Sequence, residues 1–424
     1  MGANEVKLMY EIGTENQIQN AILVGLNTGE YDAECSIQEL AALADTAGCQ
    51  VLRTVIQTRE APESATCIGS GKLEEIAELV RLTGADLLIF DLELTGMQIR
   101  NISEQTDCKV IDRTMLILDI FAGRARTAEG KVQVMLAQYR YRLSRLVGAG
   151  AALSRLGGGI GTRGPGETKL ETDRRHIRTR ITALEHELRE LEKHRKFLGM
   201  RRKKDGVLTV SIVGYTNAGK SALFNLLTQA GVLTENKLFA TLDVTARALT
   251  LPDGRTVLLS DTVGFIRRLP HHLVEAFRST LEETAQADLI LHVLDASEPD
   301  IRERMEITQS LLSELGCAEI PQIHVLNKSD LVDIPKRDEA DTVWISAKTG
   351  FGIDALLSMI ARTLPQTTRR LTLCLPYSEG SLLQNLREEG KIFSEEYTAD
   401  GIVIDAMVDI RRQKQVQPYI QSAP

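Results

Sequence analysis

Residues 207–227 have the sequence VLTVSIVGYTNAGKSALFNLL, and this stretch decides the fold of the region around it. A β-branched apolar run is followed by G-x-x-x-x-G-K-S and then by a helix-forming segment. Glycines let consecutive backbone N–H groups wrap phosphates, and the N-terminus of the following helix favours anions. The pattern predicts a P-loop, with Lys220 at the β/γ-phosphates and Ser221 on Mg²⁺. The predicted nucleotide contacts here are Gly214, Tyr215, Thr216, Asn217, Ala218, Gly219, Lys220 and Ser221.

A second phosphate-binding motif follows the apolar run TVLLS at 256–260. It consists of Asp261, Thr262, Val263 and Gly264, and all four are predicted to contact the nucleotide. A carboxylate at a strand end suits the Mg²⁺ environment, and the N–H of Gly264 can approach the γ-phosphate. D-x-x-G is a weak signal alone, but its position after the P-loop makes it strong.

A base-recognition motif follows the apolar run IHVL at 323–326. It comprises Asn327, Lys328, Ser329 and Asp330, and Ser346, Ala347 and Lys348 follow the run VWI further along. The Asp330 carboxylate can accept hydrogen bonds from both N1–H and the amino group of guanine, whereas adenine has no matching pair of donors. These motifs predict selectivity for GTP over ATP, with the backbone of the second motif supporting the base.

Two segments between and beyond these motifs are expected to change with the nucleotide. Phe239, Ala240, Thr241, Leu242 and Asp243 form the first, in which the Thr241 hydroxyl would complete Mg²⁺ coordination when a γ-phosphate is present. Thr245 is a competitor for that role, and residues 266–283 form the second segment. The predicted catalytic residues are Lys220, Thr241, Asp261 and Gly264, and the predicted metal ligands are Ser221 and Thr241.

Position 265 lacks the glutamine that orients the attacking water in Ras-like GTPases. Phe265 can neither donate to water nor accept from it, so unassisted hydrolysis should be slow. Asn217 resembles the asparagine of potassium-activated GTPases, which makes K⁺ a second candidate cofactor beside Mg²⁺. An ordinary asparagine in a loop turn is the competing interpretation.

The flanking regions predict three further domains around the GTPase domain at 205–366. Residues 1–118 alternate apolar runs with helical patterns, which predicts a parallel α/β subdomain. Apolar residues spaced at three and four indicate an antiparallel helical hairpin over 119–204. Residues 367–424 predict a small C-terminal α/β domain. The expected fold class is therefore multidomain α/β, in which the hairpin is the one domain that is entirely helical.

The hairpin region is strongly basic within an acidic chain. Residues 124–204 contain 21 Lys/Arg and 8 Asp/Glu, whereas the whole chain has a net charge of −8. Eight glycines fall in 148–166, so we expect a long loop there rather than helix. A basic stalk that ends in a cationic loop favours a polyanionic partner over a merely solvated face. Arg155, Arg163, Arg174 and Arg175 are the candidate RNA contacts.

Composition excludes several other classes. Apolar residues make up 43% and charged residues 25% of the chain, as in ordinary globular proteins. No apolar run approaches the ~18 residues of a membrane span, and the N-terminus lacks a signal-peptide pattern. The six cysteines form no C-x-x-C pair, which fits reduced thiols in the cytoplasm. The seven histidines show no metal-ligand spacing.

The chain resembles the HflX family of GTPases. The resemblance rests on IGSGKLEEI (68–76), VIDRTMLILDIFAGRART (110–127), GGGIGTRGPGETKLETDRRHIRTRI (157–181) and GYTNAGKS (214–221), and extends over about 20–410. It implies a GTP-binding and GDP-binding protein that contacts rRNA and ribosomal proteins of the large ribosomal subunit. It also implies that the protein separates stalled ribosomes under stress.

Two alternatives remain beside this function. One is a GTP-gated switch whose hairpin binds a protein, and the other is an RNA-remodelling NTPase, against which Asp330 argues. We expect a monomer without stable membrane insertion.

Overall fold

A computed structural model describes residues 18–156, 165–204, 206–229, 239, 245–262, 264–268, 284–333, 340–365, 368–389, 392–409 and 413–421. Thr241, Ala240, Leu242, Asp243, Val263 and Arg163 lie outside these ranges. The chain divides into two compact units. The first comprises Met1–Arg195, Thr234–Asp243 and Val263–Thr280, and the second comprises Lys196–Leu233, Val244–Thr262 and Leu281–Pro424.

The first unit contains a four-stranded parallel sheet, as the alternating pattern predicted. Its strands are β1 (Gln19–Asn27), β2 (Cys49–Thr58), β3 (Leu87–Phe90) and β4 (Lys109–Asp112), in the order β2-β1-β3-β4. Helices α1 (Ala33–Thr46), α2 (Ser70–Thr83), α3 (Gly96–Thr106) and α4 (Arg113–Arg124) connect and follow them. Two separate apolar clusters, one of which contains Leu40 and Leu116 and the other Leu73 and Phe90, form its core.

Local chemistry fixes the ends of these helices. The Asp32 carboxylate accepts from the N–H of Cys35 at 3.0 Å and caps α1. Thr95 and Gln98 form a reciprocal capping box at the start of α3. Gly84 ends α2 in the left-handed region, at φ 65°. Because all four strands are parallel, their carboxyl ends lie at one edge of the sheet, each followed by a helix or loop.

Two long helices form the predicted hairpin. Helix α5 (Ala128–Leu156) and helix α6 (Pro165–Lys204) enclose a cluster of Val132, Leu136 and Leu184. Ion pairs join Glu129 to Arg195 and Arg140 to Glu185. The early residue of one helix therefore pairs with the late residue of the other, which shows that the helices are antiparallel.

The predicted loop at 148–166 is wrong in extent. Helix α5 continues to Leu156, and α6 begins at Pro165, so Gly148 and Gly150 are helical. Extending an existing helix costs less than nucleating one, and the neighbouring alanines and leucine offset the glycine penalty. Proline at the first helical position needs no N–H partner.

The second unit contains a six-stranded sheet with the order β10-β9-β8-β5-β7-β6. Strands β5 (Thr209–Gly214), β7 (Thr256–Asp261), β8 (Leu289–Asp295), β9 (Gln322–Asn327) and β10 (Thr342–Trp344) pair in parallel, and β6 (Thr245–Thr250) is antiparallel to β7. Helices α7 (Lys220–Thr228), α8 (Ile301–Glu314) and α9 (Ile353–Thr363) accompany them.

A smaller antiparallel sheet follows in the same unit. Strands β11 (Thr368–Leu375), β12 (Ile392–Thr398) and β13 (Gly401–Asp409) have the order β11-β13-β12, with helix α10 (Gly380–Glu389) between the first two in sequence. A short helix α11 (Gln413–Val416) adds Val416 to their core. Among the described residues, no helix combines the length and apolar character needed to cross a membrane.

Candidate nucleotide-binding site

The predicted P-loop connects β5 to α7. Gly214 ends the strand at φ 148°, and Gly219 caps the helix at φ 91°. A Cβ at Gly214 would collide with the carbonyl oxygen of Val293, and one at Gly219 would collide with the side-chain nitrogen of Asn327. Both glycines are thus required by close approach as well as by backbone conformation.

Lys220 is buried at the end of this loop. Its side chain is 7% exposed, and Nζ donates to the carbonyl oxygen of Tyr215 at 2.7 Å. Burial lowers the pKa of Lys220 to about 8, while the charge of Asp261 acts in the opposite direction. A cation held in so poorly solvated a place favours bound phosphate, which supplies the negative charge that water no longer balances.

Ser221 and Asp261 meet at the position expected for the metal. The Ser221 hydroxyl donates to Oδ2 of Asp261 at 2.8 Å, and Asp261 is fully buried at the end of β7. Thr262 donates to the carbonyl oxygen of Ile212 at 2.6 Å, so the start of the D-x-x-G loop is fixed to β5. A hydroxyl and a carboxylate are hard oxygen donors, and this pair fits Mg²⁺.

Asn327 connects the P-loop to the S-A-K motif. Its Nδ2 donates to the carbonyl oxygen of Ala218 at 2.8 Å, and its Oδ1 accepts from the N–H of Ala347 at 2.9 Å. The side chain is 1% exposed. Asn327 therefore holds the phosphate-binding and base-binding loops together, and its predicted contact with the nucleotide stays a prediction.

Asp330 is oriented by Ser346. The Ser346 hydroxyl donates to Oδ1 of Asp330 at 2.6 Å, while the N–H of Ser329 donates to the carbonyl oxygen of Ile345 at 3.1 Å. Sequence reasoning assigned Ser346 to the base only through its backbone. In the structure the Ser346 side chain holds one oxygen of the Asp330 carboxylate. This fixes the orientation of the carboxylate towards the two hydrogen-bond donors expected from guanine.

Asp295 is a further residue of this site that the motif analysis missed. Its Oδ2 lies 2.6 Å from Nζ of Lys328, and its Oδ1 accepts from the N–H and the hydroxyl of Ser297 at 3.0 and 2.7 Å. Lys328 has a left-handed backbone at φ 60°. One feature of the sequence could have identified Asp295: it is a carboxylate at the end of β8, the strand that pairs with β9.

The described residues of the two segments expected to change with the nucleotide, and of the loop before the second segment, belong to the first unit. Phe239 is buried and packs edge-to-face on Phe121, with ring centroids 4.6 Å apart, so its side chain is committed to an apolar core. Gly264 is half-buried, and Phe265 and Ile266 are buried. The predicted nucleotide contacts of Phe239 and Gly264 stay predictions, as does the role of Thr241.

Asn217 is exposed at the tip of the P-loop with φ 63°. Asparagine is among the few residues that adopt this conformation readily. The backbone conformation of the loop therefore accounts for an asparagine here, independently of the predicted cation binding.

The candidate RNA residues are only partly described. Arg155 lies in α5, but its side chain falls outside the described residues. On α6, Arg174 is half-buried and Arg175 is exposed. Within the described ranges, no group of three or more His, Cys, Asp or Glu side chains could hold a metal ion.

Comparisons with known proteins cover nearly the whole chain. Three family models match: "GTP-binding GTPase N-terminal" over 34–122, "GTP-binding GTPase Middle Region" over 124–202, and "50S ribosome-binding GTPase" over 209–328. "GTPase HflX" from Caldanaerobacter subterraneus is 51% identical over 95% of this chain and 94% of its own length. "GTPase HflX" from Escherichia coli is 45% identical over 91% and 92%. A crystal structure of SsGBP with GDP aligns at a TM-score of 0.48 with 25% identity, covering 82% of this chain and 98% of that one.

Proposed function

Because this chain belongs to the HflX family of GTPases, we propose that it is a Mg²⁺-dependent GTPase that binds the large ribosomal subunit. In this proposal it acts in the cytoplasm and dissociates or rescues stalled ribosomes under stress. The observation that carries the nucleotide part is the hydrogen-bonded set in which Asn327 joins the P-loop to Ala347 while Ser346 orients Asp330.

Each residue of the set has a distinct task. Lys220 binds the β/γ-phosphate oxygens, and Asp330 accepts from the two donors of guanine. Ser221 and Thr241 would hold Mg²⁺, which when bound neutralises charge on the β- and γ-phosphates. Asp261 accepts from the Ser221 hydroxyl, which leaves the lone pairs of the Ser221 oxygen for the metal. Gly264 donates its N–H to the γ-phosphate.

Phe265 supplies no polar group to an attacking water. The Phe265 ring is also buried, whereas a side chain that positions water at the phosphates would be exposed to solvent. We therefore expect slow intrinsic hydrolysis that rises when the ribosome orders the switch segments, or when K⁺ at Asn217 supplies charge stabilisation.

The ribosome assignment is supported by the name of the matching family, 50S ribosome-binding GTPase, over 209–328 and by the basic helical hairpin. A positive hairpin neutralises phosphates and gives binding that weakens steeply with salt. Arg175 is exposed on α6, in a position to take part in such binding.

Cosedimentation with ribosomes tests the proposal. The protein should pellet with large subunits in a non-hydrolysable GTP analogue and remain in the supernatant in GDP. Binding that falls steeply with salt and is lost after nuclease treatment indicates rRNA. Binding that resists both treatments would favour the protein-interaction switch instead, and binding to neither subunit in any nucleotide would contradict the ribosome role.

The hairpin tip can be tested separately. Arg155→Ala with Arg163→Ala should impair ribosome engagement and leave GTP affinity unchanged. A matched control removes two exposed arginines elsewhere, Arg100 and Arg362. Equal loss of ribosome binding in both double variants would mean that only total charge matters. Ribosome splitting by the Arg155/Arg163 variant at the wild-type level would mean that the segment is only a linker.

The two routes to hydrolysis are separated by comparing K⁺ with Na⁺, with and without ribosomes. Stimulation by K⁺ that is lost in Asn217→Ala supports the cation route, and stimulation by ribosomes in either salt supports the partner route. Fast hydrolysis in Na⁺ without ribosomes by both proteins would refute both.

A further inference from the structure

The N-terminal sheet has a topological switch point between β1 and β3. The chain adds β2 on one side of β1 and then adds β3 and β4 on the other side, which gives the order β2-β1-β3-β4. Parallel sheets bind ligands at such a point, outside the carboxyl ends of the strands. The phosphate-binding and base-binding motifs of the GTPase follow strands of the other parallel sheet.

An arginine side chain contacts the residues that follow β1 and β3 at this point. The Arg268 guanidinium stacks on the ring of Tyr31 at 3.8 Å, and its Nη1 lies 3.2 Å from Oδ2 of Asp91 and 3.5 Å from the Ser36 hydroxyl. Tyr31 follows β1 and donates its own hydroxyl to the carbonyl oxygen of Leu26 at 2.6 Å, which fixes the ring. Asp91 follows β3 and is 2% exposed. An aromatic face beside a buried carboxylate is the chemistry that recognises a guanidinium.

A second arginine completes the charge balance. Arg113, 3% exposed, donates to Asp91 at 2.8 Å and to Glu39 at 2.7 Å. Burial lowers the pKa of Arg113, but Glu39 and Asp91 together raise it above its ordinary value. One buried cation cannot neutralise two carboxylates. Arg268 supplies the second positive charge of this four-residue set.

The backbone next to Arg268 is bound by the same side chains. The carbonyl oxygen of Arg267 accepts from Arg113 at 3.0 Å, and the N–H of Arg267 donates to Glu39 at 3.3 Å. Ile266 is 1% exposed and belongs to the apolar cluster that includes Leu116. The chain from 265 to 268 is thus held by both apolar and charged contacts, beginning one residue after Gly264.

We propose that Tyr31, Ser36 and Asp91 form a guanidinium-binding site whose ligand is Arg268, and that occupancy of this site couples the N-terminal domain to the nucleotide. Gly264 is separated from the bound Arg267 by two residues, a reach of about 10 Å when extended. A change at Gly264 is therefore transmitted to Arg268 and to the start of α1, where Ser36 and Glu39 lie. The proposal uses Gly264 as the γ-phosphate contact and does not depend on the ribosome.

Arg268→Ala is the variant that tests this without removing the core. Asp91 keeps its bonds to Arg113 and to the Ser36 hydroxyl at 2.6 Å, so its carboxylate still has two hydrogen-bond donors. Arg100→Ala is the matched control, since it removes an exposed arginine of the same domain whose partner is Glu104 on the same helix.

Hydrogen exchange on the full chain provides the measurement, in GDP and in a non-hydrolysable GTP analogue. In Arg268→Ala the N–H of Arg267 should exchange about tenfold faster, as expected for loss of a charged hydrogen bond and a stacked ring. In wild type, exchange at Cys35 and Ser36 should differ between the two nucleotides. That difference should disappear in Arg268→Ala and persist in Arg100→Ala.

The P-loop amides separate the possible failures. If both nucleotides protect them in wild type while α1 exchanges identically in GDP and in the analogue, the coupling is wrong and the nucleotide assignment stands. A wild-type difference that survives in Arg268→Ala likewise overturns the coupling. If neither nucleotide protects the P-loop, the nucleotide assignment fails and the inference fails with it.

Discussion

The depressed pKa of Lys220 makes nucleotide binding depend on pH in a defined window. The structure lowers this pKa from 10.5 to about 8 through burial, with Asp261 opposing the shift. The folded protein then releases the Lys220 proton at lower pH than the unfolded chain does. Between about pH 8 and pH 10.5 the unfolded chain binds more protons, so this group makes the folded state more stable as pH rises.

The size of the effect follows from the same shift. A difference of two to three pKa units corresponds to about 3 kcal/mol, which is the cost of the buried charge at neutral pH. Phosphate binds the charged form of Lys220. That form falls from about 90% at pH 7 to about 10% at pH 9, so affinity for GTP should fall about tenfold over that range.

Titration with a fluorescent GTP analogue at constant ionic strength, from about pH 7 to pH 9, measures this fall. Lys220→Arg is the control, because its side chain stays charged throughout and any remaining decline belongs to other groups, including the base. Lys220→Met should be more stable than wild type near neutral pH, by up to about 3 kcal/mol, and should hydrolyse no GTP. Affinity that is flat in wild type, or that declines equally in Lys220→Arg, would refute the assignment.

Three substitutions test the rest of the site. Asp330→Asn should relax the preference for GTP towards xanthine nucleotides, and an unchanged GTP-to-XTP ratio in a competition assay would show that Asp330 does not select the base. Asp295→Asn should weaken GTP and GDP binding alike, by about 1 kcal/mol, because Lys328 loses a charged partner while the phosphate contacts remain; a loss confined to GTP would contradict this. Phe265→Gln should lower the free energy of unfolding by about 2–4 kcal/mol, since it places an amide in a buried apolar position. Denaturant unfolding and phosphate release measure this, and faster turnover at wild-type stability would mean that position 265 faces the phosphates.

The candidate GTP site was largely predictable because its parts are local. The P-loop, D-x-x-G and N-K-x-D are each contiguous, and each comes at the carboxyl end of an apolar strand. Parallel strands bring those ends to one edge of a sheet, so sequence order alone brings the motifs together. The same locality explains the predicted parallel sheet at the N-terminus and the antiparallel hairpin.

The hairpin tip shows where composition misleads. Glycine content at 148–166 predicted a loop, yet α5 extends to Leu156. Helix propensities are weak, and an established helix is extended at small cost by the alanines between those glycines.

The sequence by itself determined the nucleotide chemistry and the family, because phosphate and guanine recognition depend on short motifs with fixed spacing. Only the tertiary structure decided the pairs that support those motifs. Asp295 with Lys328 and Ser346 with Asp330 come from separate segments and meet because β8, β9 and β10 are neighbours. Arg268 reaches Asp91 across 177 positions of sequence. No local periodicity encodes such a contact, since it depends on which buried surfaces pack together once the sheets have formed.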